Sequence, residues 1–166
     1  EVGMMGNETS QKEIDAIKDL VCEEVDARSS MLIEASHAIH ENPELNFEEH
    51  FAHELLTGIL EDEGLSPERN AYDLDTAFEA SVGSTGPAVA VLCEYDALPD
   101  IGHACGHNII ATAGLGAGLA AATVAERMGG SLRILGTPAE EGGGGKVFMG
   151  DRGAFESVDA ALMVHP

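Results

Sequence analysis

The first 64 residues carry apolar side chains at the spacing of α-helices. From about residue 10 to Ile39 they recur every three or four positions, which predicts one long helix whose apolar stripe is interrupted at Arg28. Asn42-Pro43 predicts its end, because a proline disfavours helical backbone in the residue before it. The same periodicity over residues 47–64 predicts a second amphipathic helix that closes at Gly64.

Beyond residue 65 the pattern changes to short elements broken by glycine and proline. Three apolar runs have the length and continuity of buried strands, at residues 88–95, 131–137 and 159–166. A run of small residues at 111–130 predicts a helix between the first two strands, and a short helix fits before the third. This order predicts an α/β fold in which a partly parallel sheet is flanked by helices. Residues 1–166 are expected to form a single unit.

Charge and cysteine content narrow the possible partners and location. Eight Lys and Arg against 30 Asp and Glu give a net charge of −22, which repels nucleic acids and anionic membranes. Neither is expected as a partner. An acidic surface with so few basic residues is also typical of halophilic proteins. The three cysteines are odd in number and widely spaced, which argues against a disulfide framework. With no leader-like or membrane-spanning segment apparent, a cytoplasmic location is expected.

Potential ligands occur where parallel strands are predicted to end, the usual place for a site in such folds. His103, Cys105 and His107 follow the first strand at alternate positions. In an extended segment, alternate side chains point the same way, so Cys105 and His107 could bind one metal ion. The hexapeptide alone leaves an alternative open, a helix N-terminus that includes histidines and a buried cysteine. Additional ligands have to decide between the two.

Further ligands follow the next two strands. Glu140 and Glu141 come after the second, before four glycines, and His165 comes at the end of the third. Adjacent carboxylates suit metal-assisted hydrolysis, in which one binds an ion and the other transfers a proton. The other histidines, within or beside the first two helices, are interpreted as surface or core residues: these are His37, His40, His50 and His53.

Four segments, in this order and spacing, resemble the aminoacylase-type metallopeptidase (zinc exopeptidase) family. They are HENPELNFEEHFAHELL, EYDALPDIGHACGHN, GTPAEEGGGGK and the final VHP. The match is nearest to its amidohydrolase branch. Asn108 replaces an aspartate common in that branch, which favours the subgroup of β-alanyl-lysine dipeptidase and aminobenzoyl-glutamate hydrolase.

The resemblance implies a zinc-exopeptidase-like catalytic domain with two divalent metal ions, zinc or manganese. The expected substrates are N-acyl amino acids or small dipeptides, cleaved at the amide bond by metal-activated water. Glu140 resembles the general base, and the positions that resemble metal ligands are Cys105, His107, Glu141 and His165. His103 lies in the motif but is not a usual ligand.

Members of this family continue well beyond the last matched motif. The chain is therefore expected to be a truncated, N-terminal part of the catalytic domain, without the lid or dimerisation domain and the C-terminal catalytic segment. An alternative is a catalytically incomplete metal-binding module, whose exposed apolar sheet edge self-associates or binds a complementing C-terminal chain. A structural zinc site is disfavoured, because such sites use closed sets of Cys and His ligands.

Overall fold

The computed structural model describes residues 11–166, in which three helices are followed by a sheet whose later strands are separated by helices. The helices are α1 (Gln11–Ala27), α2 (Ser29–Glu41), α3 (His50–Asp62), α4 (His107–Ala122) and α5 (Gly145–Asp151), with a 3₁₀ turn at Ala71–Asp73. The strands are β1 (Glu68–Arg69), β2 (Phe78–Val82), β3 (Ala88–Glu94), β4 (Ser131–Thr137) and β5 (Ala160–Leu162). The predicted order of strand, helix, strand, short helix and strand is confirmed from β3 to β5.

The strands of residues 11–166 form one mixed sheet in the order β1-β2-β4-β3-β5. β3 lies parallel to both β4 and β5. β2 pairs antiparallel with β4 and with β1. The predicted partly parallel sheet is therefore confirmed, whereas β1 and β2 were not predicted individually. The carboxyl ends of β3, β4 and β5 all lie at the same edge of the sheet.

Two apolar layers cover the sheet. The larger joins α2, α3 and α4 to one face of β2, β3 and β4, and its most buried members include Ile39, Leu56, Leu115 and Ile134. The smaller lies on the opposite face, where Met149 of α5 packs with Leu92 and Leu135. Neighbouring β3 residues alternate between the layers, as expected for a strand buried on both sides.

The prediction of one long first helix is wrong at Arg28. The guanidinium of Arg28 donates to the carbonyl of Glu24 at 2.8 Å and to the Glu63 carboxylate at 2.8 Å. The backbone of Arg28 instead makes a short turn to Val25. The Arg28 side chain thus occupies the Glu24 carbonyl, which would accept the Arg28 amide in a continuous helix. As a result α1 ends at Ala27 and α2 begins at Ser29.

The second helix begins three residues later than predicted. Phe47 lies before it with a positive φ of 62°. The carboxylate of Glu44 accepts hydrogen bonds from the amides of Phe51 and Ala52 at 2.8 and 3.0 Å. These bonds satisfy free N–H groups in the first turn of α3. Phe51 itself is 39% exposed.

The β5 edge of the sheet is apolar and exposed. Leu162 and Val164 are 59% and 62% exposed. Beside them, an apolar groove between β3 and α4 is lined by Val89, Val124 and Met128. Among residues 11–166, no helix combines the length and apolar character needed to cross a membrane.

Candidate metal centre

The candidate ligands converge at the carboxyl ends of the three parallel strands. Glu94 ends β3, the Glu140–Glu141 pair follows β4 and His165 follows β5. His107 enters from the first residue of α4. Residues far apart in sequence are thus brought together by the sheet topology, as in other open α/β sheets.

Cys105 and His107 come together by a turn and not by an extended strand. Gly106, between them, has a φ of 83° and immediately precedes α4. The predicted extended conformation is therefore wrong, but the predicted convergence of the two side chains is observed. The Cys105 Sγ, a His107 ring nitrogen and a Glu141 carboxylate oxygen all lie within 4.8 Å of one another.

The orientation of His107 is fixed by Asp96. The Nδ1 of His107 lies 2.8 Å from the Asp96 carbonyl and 3.1 Å from its Oδ1. The Oδ2 of Asp96 accepts the backbone N–H of Glu141 at 2.9 Å. One buried carboxylate therefore holds both the imidazole and the segment 139–144, here called the glutamate loop. Such a carboxylate is common behind metal-binding histidines.

The other ring nitrogen of His107 faces three carboxylates. Its Nε2 lies 3.5 Å from Glu94 Oε2, 3.7 Å from Glu141 Oε1 and 3.9 Å from Glu140 Oε2. Within residues 11–166, neither His107 Nε2 nor Glu94 Oε2 has a hydrogen-bond partner although both are buried. Unpartnered buried polar atoms are costly, and a divalent cation would satisfy both.

A second group of potential ligands overlaps the first. Glu94, His107 and His165 also offer ligand atoms within 4.8 Å of one another. The other oxygen of Glu94 forms an ion pair with Lys146 of α5. Because Nδ1 of His107 is engaged by Asp96, only its Nε2 is available, and one nitrogen lone pair binds one ion. Two ions at this edge would therefore have to divide the remaining ligands between them.

The charges of the cluster shift the pKa values of its members. Burial lowers the pKa of His107, but the hydrogen bond and charge of Asp96 and the charge of Glu94 outweigh it and raise the pKa overall. Burial raises the pKa of Asp96, but hydrogen bonds from His107 and the Glu140 and Glu141 amides lower it overall. The pKa of Cys105 is raised by burial and by Glu141. The raised pKa of His107 reflects the negative charge of Asp96 and Glu94 beside it, which also favours a bound cation.

Sequence reasoning singled out the segment that contains Glu94 and Asp96 but gave neither residue a role. Their position at the end of β3 was the available signal, because side chains there reach the crevice at the carboxyl edge. His103 is buried and lies beside His40, with ring centroids 6.3 Å apart. Among the described residues it belongs to neither ligand group.

The residues present fit a divalent metal site of mixed ligand type. Imidazole and thiolate suit zinc, and carboxylates also suit manganese. An α/β sheet with such a cluster at its carboxyl edge is typical of metal-binding α/β domains.

Comparison with known proteins narrows this class to one family. The chain is 40% identical to the Xaa-Arg dipeptidase of Mus musculus over 172 residues, covering 95% of this chain and 40% of that protein. It is also 40% identical to a p-aminobenzoyl-glutamate hydrolase of Escherichia coli K12, covering 77% of this chain and 31% of that protein. No protein-family model matches the chain.

A solved structure gives the same result. The YXEP protein of Bacillus subtilis, described as a dinuclear metal binding peptidase from the M20 family, superimposes with a TM-score of 0.73 at 26% identity. The match covers 82% of this chain and 42% of that one. The chain belongs to this family of metallopeptidases, and it spans about 40% of the length of the dipeptidase it matches.

Proposed function

We propose that this chain supplies the metal centre of a hydrolase that cleaves the amide bond of N-acyl amino acids or small dipeptides. One observation carries the proposal: ligand atoms of Cys105, His107 and Glu141 lie within 4.8 Å of one another, and the buried Nε2 of His107 has no hydrogen-bond partner among residues 11–166. The 40% identity to a dipeptidase and to an aminobenzoyl-glutamate hydrolase supports the choice of substrate class.

The proposed ligands of two divalent ions are Cys105, His107, Glu141 and His165, to which the position of Glu94 adds a fifth. Five donors divided between two ions leave positions open for water and substrate, as catalytic metal sites require. The description of the Bacillus subtilis structure as dinuclear supports two ions. Zinc is our first choice because one ligand is a thiolate, and manganese is the second.

Glu140 is the proposed general base. Its carboxylate lies beside His107, at 3.9 Å from Nε2, and its side chain is 40% exposed, so it reaches both the cluster and solvent. Bound divalent ions would polarise the amide carbonyl and acidify the attacking water. Glu140 accepts a proton from this water and returns it to the leaving amine nitrogen. Asp96 holds His107 and the Glu141 amide in place during these steps.

The test is hydrolysis by the metal-loaded chain of a panel of N-acyl amino acids and dipeptides, with Glu140→Gln as the variant. We expect Glu140→Gln to lower the rate by about 100-fold or more while metal binding is retained. Glu126→Gln, which changes an exposed carboxylate beyond the C-terminal end of α4, is the control and should leave the rate unchanged. Equal rates for all three proteins would reject catalysis by this chain.

Self-association is a second proposal, for which the exposed apolar β5 edge is the supporting observation. Unpaired strand edges with apolar side chains favour further strand pairing. Light scattering of the purified chain tests it, together with Leu162→Lys. We expect the wild-type chain to have a mass above that of a monomer, and Leu162→Lys to have a lower mass than wild type. A wild-type chain with the mass of a monomer would reject self-association.

A cytoplasmic location also remains a proposal. It is supported by three cysteines that are all free, one of them a proposed metal ligand that oxidation would remove. The net charge of −22 supports a strongly hydrated surface suited to high salt.

A further inference from the structure

The carboxylate of Glu49 lies outside the ligand cluster but contacts the loop that carries Glu140 and Glu141. Glu49 comes from the conspicuous segment HENPELNFEEH, which supplies none of the proposed ligands. Its side chain is fully buried just before α3. A buried carboxylate needs several hydrogen-bond donors, so its partners indicate what it does.

Glu49 accepts three hydrogen bonds, and two of them go to one oxygen. Its Oε1 accepts the backbone N–H of Ala139 at 2.8 Å and that of Phe47 at 3.0 Å. Its Oε2 accepts the hydroxyl of Thr76 at 2.7 Å. Ala139 directly precedes Glu140 and Glu141, so the Glu49 carboxylate connects the start of α3 to the glutamate loop.

Both backbone donors to Oε1 have left-handed conformations. Ala139 has a φ of 56° and Phe47 a φ of 62°. Residues with a Cβ avoid this region unless surrounding contacts enforce it. The Oε1 atom of Glu49, which accepts from both amides, is such a contact. Breaking it would free both residues to return to ordinary backbone angles and would redirect Glu140.

The same two segments also pack directly against each other. A Cβ on Gly142 would lie 2.7 Å from the Asn46 side chain, and one on Gly143 would lie 2.5 Å from the Phe47 ring. The glycines after the glutamate pair therefore admit the segment that precedes Glu49. Packing and hydrogen bonding agree that residues 46–49 hold the loop in position.

We infer that Glu49 is a positioning residue, whose carboxylate fixes Ala139 and thereby aims Glu140 and Glu141 at His107. The inference rests on the proposed function for its catalytic meaning. Its structural content, that Glu49 orders the glutamate loop, is separate and does not require a bound metal.

Glu49→Met tests the inference because it keeps the side-chain volume and removes every acceptor. Two quantities are measured in the 166-residue chain: amide hydrogen exchange of Glu141 relative to Ile134 in the metal-free protein, and affinity for zinc. The Glu141 amide is chosen because its bond to Asp96 reports the loop position. Ile134 lies in the core of β4 and reports global opening.

We expect Glu49→Met to speed exchange at Glu141 about tenfold relative to Ile134 and to weaken zinc binding by about 10- to 100-fold. Glu49→Gln should restore both to within about threefold of wild type, because its amide oxygen still accepts from Ala139 and Phe47. Leu60→Ala, a core truncation in α3, is the control for general destabilisation. It should speed exchange at Ile134 at least as much as at Glu141, so that the ratio does not rise, and should leave zinc affinity unchanged.

If Glu49→Met does not fold, Thr76→Val replaces it and should accelerate the Glu141 amide by about threefold, since one oxygen of Glu49 loses its donor. An unchanged exchange ratio, or an equal rise of the ratio in Leu60→Ala, would overturn the inference. The two proposals can fail separately. If the wild-type chain binds no zinc, but Glu49→Met still speeds exchange at Glu141, the proposed function is rejected and the positioning role of Glu49 is retained.

Discussion

His53 and His107 are both buried histidines near an acidic side chain, yet their surroundings give them opposite properties. The Nε2 of His107 has three carboxylates within 4 Å and its Nδ1 is held by Asp96. His53 packs against the ring of Phe78, at 6.1 Å between centroids, and its only carboxylate neighbour within 4 Å among the described residues is the exposed Glu54. Burial lowers the pKa of His53, whereas the acids around His107 raise its pKa.

Burial of an imidazole therefore does not identify a site. The distinguishing features are the number of carboxylates around the free nitrogen and the group that fixes the other nitrogen. Around α3 those features are missing and the histidine fills a core position. At the carboxyl edge they are both present, and the imidazole lies among several carboxylates.

Substitution of each histidine by glutamine gives the largest expected contrast. His107→Gln should weaken zinc binding by at least about 100-fold, because it removes the nitrogen that both ligand groups share. His53→Gln should change the affinity less than about twofold. Titration calorimetry with zinc and manganese measures both. An equal loss of zinc affinity in the two variants would contradict a ligand role that belongs to His107 and not to His53.

The role of Asp96 sharpens the comparison at the next level. Asp96→Asn keeps the size of the side chain but removes the charge that orients His107, so zinc affinity should fall about 10- to 100-fold. Asp100→Asn, which changes an exposed aspartate in the same connection, is the matched control. The assigned role fails if both asparagine variants bind zinc equally.

The two nearby cysteines should differ by a smaller factor. Cys105→Ser should weaken zinc binding about tenfold, because a hydroxyl is a poorer zinc ligand than a thiolate. Cys93 is fully buried in β3 and burial raises its pKa to about 12, so Cys93→Ser should lower stability and leave zinc affinity unchanged. Parallel zinc titration and chemical unfolding separate the two effects, and equal losses of affinity would contradict the assignment.

The smallest effect concerns pH and stability around His53. Its pKa is lowered in the folded state by burial, so below about pH 6.5 the unfolded chain takes up a proton that the native chain does not. Stability from this residue is present above that pH and is lost as the pH falls through the folded-state pKa. The free energy of unfolding should therefore fall less in His53→Gln than in wild type as the pH is lowered from about 7.5 to about 5.5. Equal slopes in urea unfolding would show that His53 does not carry this dependence.

The runs of apolar and small residues were sufficient to predict the existence of α4 and of the three parallel strands, because such runs leave few alternatives for their burial. The predicted bounds of α4 were wrong, since it spans His107–Ala122 and not 111–130. Periodicity was not sufficient for the break at Arg28, which depends on a side chain reaching Glu24 and Glu63 across the fold. The short antiparallel β2 was also missed, since five residues of mixed burial carry little periodic signal.

The site divides in the same way. Cys105, His107 and the glutamate pair were predicted because histidine, cysteine and adjacent acids are conspicuous at strand ends, although their roles remain proposals. Glu49 and Asp96 were not assigned a role, because the sequence does not distinguish them from the rest of the 30 acidic residues. Only the three-dimensional contacts separate these buried carboxylates from the exposed ones.

The most direct test of the metal centre is X-ray absorption at the zinc edge of the zinc-loaded chain, in a Cys22→Ser background that removes the exposed cysteine. We predict a sulfur contribution at about 2.3 Å together with nitrogen and oxygen neighbours at about 2.0–2.2 Å, and loss of the sulfur signal in Cys105→Ser. A shell without sulfur, or a sulfur signal that persists in Cys105→Ser, would contradict a site built on Cys105 and His107.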